Sequence, residues 1–442
     1  MSIEKVDNLF YPGYDGSGFY RIPALVKTLN GTVIAGADKR ITNQEDWGDI
    51  NAVIRRRPQG AIEFDDNITI IDLPAGDDND YAFLIDMSLL VQKQGKHKGR
   101  IHLLIDMFRE GGNFWSAKNG SGFVNIDGKM YQALYDEFGH CYSIRENGVV
   151  YDAFGNQTLY KVQLEDEMPF TNLGTLTHQD KVLGNVFLKN SLLKTYQTSN
   201  IWYTYSDDDG LTWELPRNIT GEVKAEWMRF LGTGPGVGLE LQNGRLVFPV
   251  YFTDTLTNHQ STATIYSDDE GKTWQRGASP NDTKITISAV GDIKQEISEA
   301  QLVQLNNGAT LVFMRNYSDK VKYAISYDNA KTWEDELLDL DFKCEAYCQL
   351  SVLHFKREGK EYIIVSNPYG PDRTNGSVKL CVVHDEKNIE CISEKFINDT
   401  RYQYSCLTQL DEDNFALLYE EDDKNGKVNL KYVEFDWDWL IK

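Results

Sequence analysis

Short apolar runs, many of them next to a turn, dominate the chain and predict β-strands rather than helices. Several runs directly follow an Asn-Gly pair, which is typical of a tight turn between antiparallel strands. No long amphipathic helix stands out. The pattern therefore predicts an all-β protein built of small antiparallel sheets. The clearest runs are residues 32–36, 245–251, 310–314, 362–366 and 415–419.

A Ser-x-Asp-x-(Gly/Ala)-x-Thr-Trp turn occurs three times, at residues 206–213, 267–274 and 326–333. The copies begin 61 residues apart (206 to 267) and then 59 residues apart (267 to 326). A unit repeated with such a period is typical of a radial array of small sheets. We expect its Asp to accept backbone N–H groups within the turn and its Trp to pack between neighbouring sheets. The turns are therefore predicted to be scaffold and not catalytic.

Residues 103–185 have a strand-and-turn rhythm of their own but lack the Thr-Trp turn. We interpret them as a β-rich insertion between early blades. Removing about 80 residues leaves about 360, which at about 60 residues per blade gives six blades. The chain is therefore predicted to be a six-bladed β-propeller, residues 1–102 and 186–442, with an inserted β-rich subdomain at 103–185.

The overall charge argues against one class of partner. The chain carries 45 Lys and Arg against 67 Asp and Glu, a formal net charge of −22. This charge argues against nucleic acid as a ligand, because phosphate contact needs clustered basic residues. If the ligand is a single carboxylate, a local cluster of Arg must hold it.

Targeting and metal signals are both weak. The N-terminus has no basic and apolar signal segment, and no apolar run reaches the length of a transmembrane helix, so no targeting is predicted and the compartment stays open. The six Cys lack CxxC pairs, and none of the seven His lies within five residues of Cys344 or Cys348. We expect buried thiols and no metal.

Three Arg residues lie within apolar strand-like sequence or just after it. Arg21 lies in the sequence Phe-Tyr-Arg-Ile-Pro-Ala-Leu-Val, and a buried guanidinium there needs an anionic partner, either a protein side chain or a ligand. Arg315 directly follows the apolar run at 311–314. Arg373 lies 58 residues after Arg315 (315 to 373), an interval close to one blade period. Equivalent positions in neighbouring blades point at the same axis, so we expect these side chains to converge as a carboxylate clamp.

Taken together, four motifs resemble those of bacterial sialidases (exo-α-neuraminidases) over essentially the whole chain. They are Tyr-Arg-Ile-Pro at 20–23, the three Thr-Trp turns, the Gly-rich stretch 232–251 and the closing Phe-Asp-Trp-Asp-Trp-Leu at 435–440. The resemblance implies a retaining hydrolase that releases terminal α-linked sialic acid from glycans and needs no cofactor. Such enzymes depart from the usual pair of catalytic carboxylates by using a Tyr nucleophile.

The resemblance also implies a role for individual residues, carried over by motif. Arg21, Arg315 and Arg373 would grip the sugar carboxylate, and Arg40 would lie near its O4. Tyr404 would be the nucleophile, Glu299 its partner base and Asp46 the general acid/base, while Glu420 would orient Arg21. A neutral Tyr suits this sugar because its anomeric carbon carries a carboxylate, which would repel an Asp or Glu nucleophile.

Several alternatives stay open. Glu45 or Asp49 competes with Asp46, Tyr402 with Tyr404, and Glu421 with Glu420, and Glu299 could be a solvated acid at a strand end. An intramolecular trans-sialidase releasing an anhydro sugar would carry the same residues. A non-catalytic sialic-acid-binding propeller is a third possibility.

Overall fold

The computed structural model describes residues 6–76, 80–254, 259–281 and 296–442. Within these ranges the strands pair into seven sheets, six of which are blades of a β-propeller. The predicted six-bladed propeller is confirmed. All five predicted strand runs are second strands of blades, buried on both faces, which is why they are continuously apolar rather than alternating.

Strand β1 (Val6–Phe10) belongs to the last blade, and the first blade begins after it. The first blade is a four-stranded antiparallel meander, with one-turn 3₁₀ geometry at Tyr14–Gly16 before it. Its strands are β2 (Phe19–Lys27), β3 (Val33–Arg40), β4 (Ile50–Arg57) and β5 (Ile68–Ile71).

The second blade is divided along the chain by a separate sheet. Strands β6 (Phe83–Val91) and β7 (Ile101–Phe108) come before this sheet. Its strands are β8 (Phe123–Ile126), β9 (Lys129–Tyr135), β10 (Cys141–Ile144), β11 (Val149–Tyr151), β12 (Gln157–Val162), β13 (Thr175–His178), β14 (Lys181–Asn185) and β15 (Lys194–Thr195), with a 3₁₀ turn at Glu146–Gly148. The blade resumes with β16 (Asn200–Ser206), which pairs with β7, and β17 (Arg217–Asn218).

The division into a propeller and an inserted subdomain stays a prediction, but the strand pairing moves its expected limits. Strand β7 overlaps the start of the expected insertion yet pairs inside the blade, and β15 lies beyond 185 yet pairs with β9. The separate sheet also interrupts one blade instead of lying between two. Its inward face shares a hydrophobic core with that blade, through residues such as Leu134, Ile144 and Trp202.

The third, fourth and fifth blades follow in chain order. A short helix, α1 (Thr220–Val223), leads into them. The third blade contains β18 (Met228–Thr233), β20 (Leu239–Glu240), β21 (Leu246–Asp254), β22 (Gln260–Ser267) and β23 (Gln275–Arg276), while β19 (Gly236–Val237) pairs in parallel with β6. The fourth contains β24 (Ile297–Gln304), β25 (Thr310–Asn316), β26 (Lys320–Ser326) and β27 (Leu338–Lys343). The fifth contains β28 (Ser351–Arg357), β29 (Lys360–Gly370), β30 (Thr374–Asp385) and β31 (Asn388–Phe396).

The sixth blade joins the two ends of the described chain. Strands β32 (Tyr402–Gln409), β33 (Asn414–Asp422) and β34 (Val428–Asp436) come from its C-terminal part, and β1 adds the outer strand by pairing with β34. Helix α2 (Trp437–Ile441) follows, capped by Asp436, whose side chain accepts from Trp439 N. This pairing closes the ring of blades.

The three Thr-Trp turns are scaffold, as predicted. Each lies between the third and fourth strands of a blade. Asp208 accepts from Thr212 N at 2.8 Å, and Asp269 and Asp328 make the same bond in their own turns. The buried Trp274 ring packs against Tyr203 of the second blade and Phe248 of the third. The Trp therefore fills the space between blades.

Candidate active site

The first strand of five blades carries a β-bulge near its start. The register shifts lie in β2, β6, β18, β24 and β32. A bulge turns side chains out of the normal alternation and re-aims them. At four of these bulges lie Arg21, Asp86, Glu299 and Tyr404, which line one pocket of about 250 Å³. The same local irregularity, repeated around the ring, thus brings together residues that are far apart in sequence.

Tyr404 and Glu299 form the centre of the pocket. The Tyr404 hydroxyl donates to Glu299 Oε1 at 2.5 Å, and Arg315 Nη1 donates to Glu299 Oε2 at 2.5 Å and to the Tyr404 oxygen at 3.0 Å. Burial and the nearby Glu299 carboxylate raise the pKa of Tyr404 well above its usual value. The phenol is therefore neutral at ordinary pH, and it becomes a competent nucleophile only if Glu299 takes its proton during attack.

Three guanidinium groups surround the Tyr404 ring. Arg21 and Arg373 lie over it, with their Cζ atoms 5.5 Å and 5.7 Å from the ring centroid, and Arg315 contacts its hydroxyl. All three line the pocket. The structure thus brings together the three Arg residues that the sequence predicted to converge, in a group suited to a carboxylate.

Glu420 is fully buried beneath this group. Its two oxygens accept from Arg21 Nε and Nη2, each at 3.1 Å, and one of them also accepts from Ile22 N at 2.8 Å. Its second oxygen accepts from Tyr404 N at 3.3 Å. Ile22 has a φ of 61°, a costly conformation for a β-branched residue, inside the bulge that aims Arg21. Glu420 therefore fixes both Arg21 and the backbone of Tyr404.

Asp46 lies on the loop after β3 and lines the pocket, with 65% of its side chain exposed. Its Oδ1 accepts from Arg40 Nη1 at 2.9 Å and lies 3.8 Å from Arg21 Nη1. Desolvation raises its pKa, but attraction to Arg40 and Arg21 outweighs that effect and holds the pKa below its usual value.

Arg40 has a different setting from the one expected. Its side chain is fully buried, and Nη1 also donates to the carbonyl oxygens of Gln44 and Glu45 at 2.7 Å. Nη2 donates to Asp38 Oδ2 at 3.1 Å. Arg40 thus holds the Asp46 loop from beneath, and contact with a sugar O4 stays a prediction.

The competing residues contact groups outside this pocket. The Tyr402 hydroxyl shares a hydrogen bond of 2.5 Å with Ser366 Oγ in the core. The Glu421 carboxylate accepts a hydrogen bond of 2.6 Å from Lys431 Nζ. Glu45 and Asp49 do not line the pocket, whereas Asp46 does. Glu299 is 3% exposed, so it is not a solvated strand-end acid.

Two acids in the pocket wall escaped sequence reasoning. Asp86 lies in the β6 bulge with a φ of 64°, and Asp106 lies on the neighbouring strand β7. Burial and the surrounding acids raise the pKa of Asp86, and burial likewise raises that of Asp106, well above the usual value. The signal was present: each acid follows Leu-Ile and precedes Met within an apolar strand. A lone charge in such a run, like that of Arg21, must be paired inside the protein or face a ligand.

The remaining walls are aromatic and apolar. Phe108, Phe114, Phe230, Tyr251 and Ile85 form one side of the pocket. Trp47 and Trp115 also line it with 49% and 74% of their surface exposed, so they stand at its mouth. In the part of the chain that the structure describes, no group of three or more His, Cys, Asp and Glu is arranged to hold a metal ion, and no helix is long and apolar enough to cross a bilayer.

Comparison with known proteins gives consistent relatives. The family of BNR repeat-like domains matches residues 165–416, more than half of the chain. An anhydrosialidase of Macrobdella decora is 31% identical over 97% of this chain and 61% of its own length, and sialidase B of Streptococcus pneumoniae is 28% identical over 96% and 66%. The chain thus spans less than two thirds of the length of these curated relatives.

A solved structure matches over nearly the full length of both chains. The intramolecular trans-sialidase from Ruminococcus gnavus, in complex with oseltamivir carboxylate, aligns with a TM-score of 0.84 and 27% identity over 98% of each chain. The predicted sialidase relationship is confirmed. The chain therefore belongs to the BNR repeat-like domain family, and it is similar to sialidases over nearly its whole length.

Proposed function

We propose that the protein is a retaining exo-sialidase that releases terminal α-linked sialic acid from glycans. The observation that carries this proposal is the 2.5 Å hydrogen bond from Tyr404 to Glu299 beneath three convergent Arg residues. The arginines would bind the sugar carboxylate, so that the anomeric carbon next to it lies above the Tyr404 oxygen. The related proteins named above support this substrate class.

The chemistry follows from the placement of three groups. Glu299 takes the phenol proton as the Tyr404 oxygen attacks the anomeric carbon, and the bond to the leaving oxygen breaks. Asp46 in its protonated form gives the leaving oxygen its proton and then, as carboxylate, takes a proton from the attacking water. Water displaces Tyr404, which recovers its proton from Glu299. Two displacements at one carbon give net retention.

A matched pair of variants tests the nucleophile. With 4-methylumbelliferyl sialoside, Tyr404→Phe should lower kcat by about a hundredfold or more, because it deletes the attacking oxygen. Tyr402→Phe removes a hydroxyl on the same strand, two residues away, and should keep kcat within about threefold of wild type. Wild-type turnover in Tyr404→Phe would refute the mechanism.

A second reaction shares the first displacement. The sugar's own hydroxyl, rather than water, would displace Tyr404 and give an anhydro sugar. The observation that favours it is the match over 98% of both chains to an intramolecular trans-sialidase. Such a reaction needs a bulky group that excludes water, and Trp47 and Trp115 stand at the pocket mouth.

NMR of the product from α2,3- and α2,6-sialyllactose separates the two reactions: free sialic acid indicates hydrolysis and an anhydro sugar indicates the intramolecular route. Binding without any product would indicate a non-catalytic propeller.

A further inference from the structure

Tyr347 contacts two of the three arginines in the pocket, Arg315 and Arg373. It lies between β27 and β28. The Cζ atom of Arg315 is 3.9 Å from the centroid of the Tyr347 ring. The Tyr347 backbone carbonyl accepts from Arg373 Nε at 3.3 Å. One residue thus links arginines from two neighbouring blades.

The ring itself is fixed from two other directions. Its second face stacks on Tyr317, with ring centroids 3.7 Å apart and planes 9° from parallel. Its hydroxyl donates to Glu296 Oε1 at 2.5 Å, and the buried Glu296 also accepts from Gln260 N at 3.0 Å. A ring held by a stack and by a charge-assisted hydrogen bond has little freedom to rotate.

The face of the Arg315 guanidinium packs on this ring, while its hydrogen bonds are made at one end. Its hydrogen bonds to Glu299 and Tyr404 both come from Nη1, and its buried Nε has no hydrogen-bond partner among the described residues. These bonds hold only the Nη1 end of the guanidinium. Contact of its face with an aromatic ring restrains the rest of the planar group, and a cation over a ring in a desolvated site is also attracted to it.

We propose that Tyr347 is a positioning residue that sets the plane of Arg315, and helps to place Arg373, for two-point binding of the substrate carboxylate. This inference rests on the proposed function, because it takes the ligand to be a sialic acid. It concerns binding of the carboxylate and not the bond-breaking steps. Its effect should therefore appear in affinity for the carboxylate more than in kcat.

The test compares two inhibitors that differ only at the carboxylate. These are 2-deoxy-2,3-didehydro-N-acetylneuraminic acid and its methyl ester, whose inhibition constants are measured for each variant. In Tyr347→Leu the preference for the acid over the ester should fall by about tenfold or more, because the stack on Arg315 is lost. Tyr347→Phe keeps the ring and should retain the preference within about threefold. KM for an aryl sialoside should rise about tenfold in Tyr347→Leu, with a smaller change in kcat.

Tyr327→Leu is the matched control. Tyr327 also donates its hydroxyl to a glutamate, Glu386, at 2.9 Å, but it is exposed and outside the pocket. Its removal should leave the preference unchanged. If Tyr347→Leu shows no cooperative melting transition, Tyr347→Met replaces it, with the same expected loss.

An unchanged acid-to-ester preference in the folded variant would overturn the proposal, because a merely structural role weakens both inhibitors alike. Failure of the proposed function looks different. In that case the wild-type protein itself would not prefer the acid and would not turn over a sialoside.

Discussion

Arg21 and Glu420, 399 residues apart in the chain, form a two-point ion pair with both N···O distances at 3.1 Å. Glu420 is fully buried and the Arg21 side chain is 14% exposed. Attraction to Glu420 and Asp46 exceeds the cost of burial and raises the pKa of Arg21, so the guanidinium stays charged. The pair connects the first blade to the last at the point where the carboxylate of a ligand would bind.

Neutralising Glu420 should therefore damage both binding and stability. In Glu420→Gln the Arg21 charge in a largely buried site loses its two-point partner and keeps only the more distant Asp46, which costs about 3 kcal/mol. We expect a lower melting temperature and a higher KM for sialosides. The neighbouring Glu421→Gln is the control, because Glu421 bonds Lys431 and Asn398 instead. Equal effects of the two substitutions would contradict the role assigned to Glu420.

The rate should depend on pH through Asp46, in a way that depends on the leaving group. Desolvation is outweighed by Arg40 and Arg21, which keep the pKa of Asp46 below its usual value. The protonated form becomes scarce as pH rises through this lowered pKa, and kcat/KM reports this form of the free enzyme. For sialyllactose, kcat/KM should therefore fall over that range, whereas an aryl sialoside with a good leaving group should lack this limb.

Asp46→Asn provides the check on this assignment. It should lower kcat for sialyllactose by about a hundredfold or more and kcat for the aryl sialoside by much less. If both substrates lose rate equally, Asp46 is not the proton donor.

Asp106 should make the folded protein less stable as pH rises. Burial raises its pKa well above the usual value, against the hydrogen bond from Thr233 N. The folded protein then holds a proton that the unfolded chain releases above about pH 4, so stability falls with increasing pH by up to about 1.4 kcal/mol per unit. Asp106→Asn keeps an acceptor for Thr233 N and removes this dependence.

We therefore compare the difference in melting temperature between Asp106→Asn and wild type at two pH values. This difference, variant minus wild type, should be more positive at pH 8 than at pH 5. Asp341→Asn changes a carboxylate whose side chain is 97% exposed and serves as the control. A difference between Asp106→Asn and wild type that is the same at both pH values would show that Asp106 is ionised in the folded protein.

The glycine of the second Thr-Trp turn, Gly271, should tolerate a side chain poorly, in contrast to Gly60 in the turn between β4 and β5. Gly271 has a φ of 87°, and a Cβ there would lie 2.2 Å from the Tyr203 hydroxyl oxygen, which is hydrogen-bonded to His102. Gly60 has a similar φ of 81° but nothing within 4 Å. Both Gly→Ala changes carry the same backbone strain, but only Gly271→Ala must displace a buried ring, at an added cost of about 1 to 3 kcal/mol. Thermal melts of the two variants measure this difference, and equal losses would refute it.

The sequence was most informative where a repeat or a motif governed the structure. The 58-residue interval between Arg315 and Arg373 reflects one blade period, so the convergence of these two residues was predictable. The bulges were not, because a bulge breaks the alternation from which side-chain direction is inferred. The apolar run around Asp86 marks it as a buried acid, but the bulge concealed that its side chain lines the pocket. The burial of Arg40 depends on the fold of the Asp46 loop, which no local pattern encodes.

Closure of the ring has a consequence for the order in which the protein acquires its chemistry during synthesis. A nascent chain that has completed five blades already contains Arg21, Asp46 and Glu299, but β1 has no partner strand until β34 emerges. Tyr404 and Glu420 arrive only with this last blade. The last blade therefore both closes the propeller and contributes the proposed nucleophile. A chain truncated after the fifth blade should consequently have no activity, rather than a reduced one.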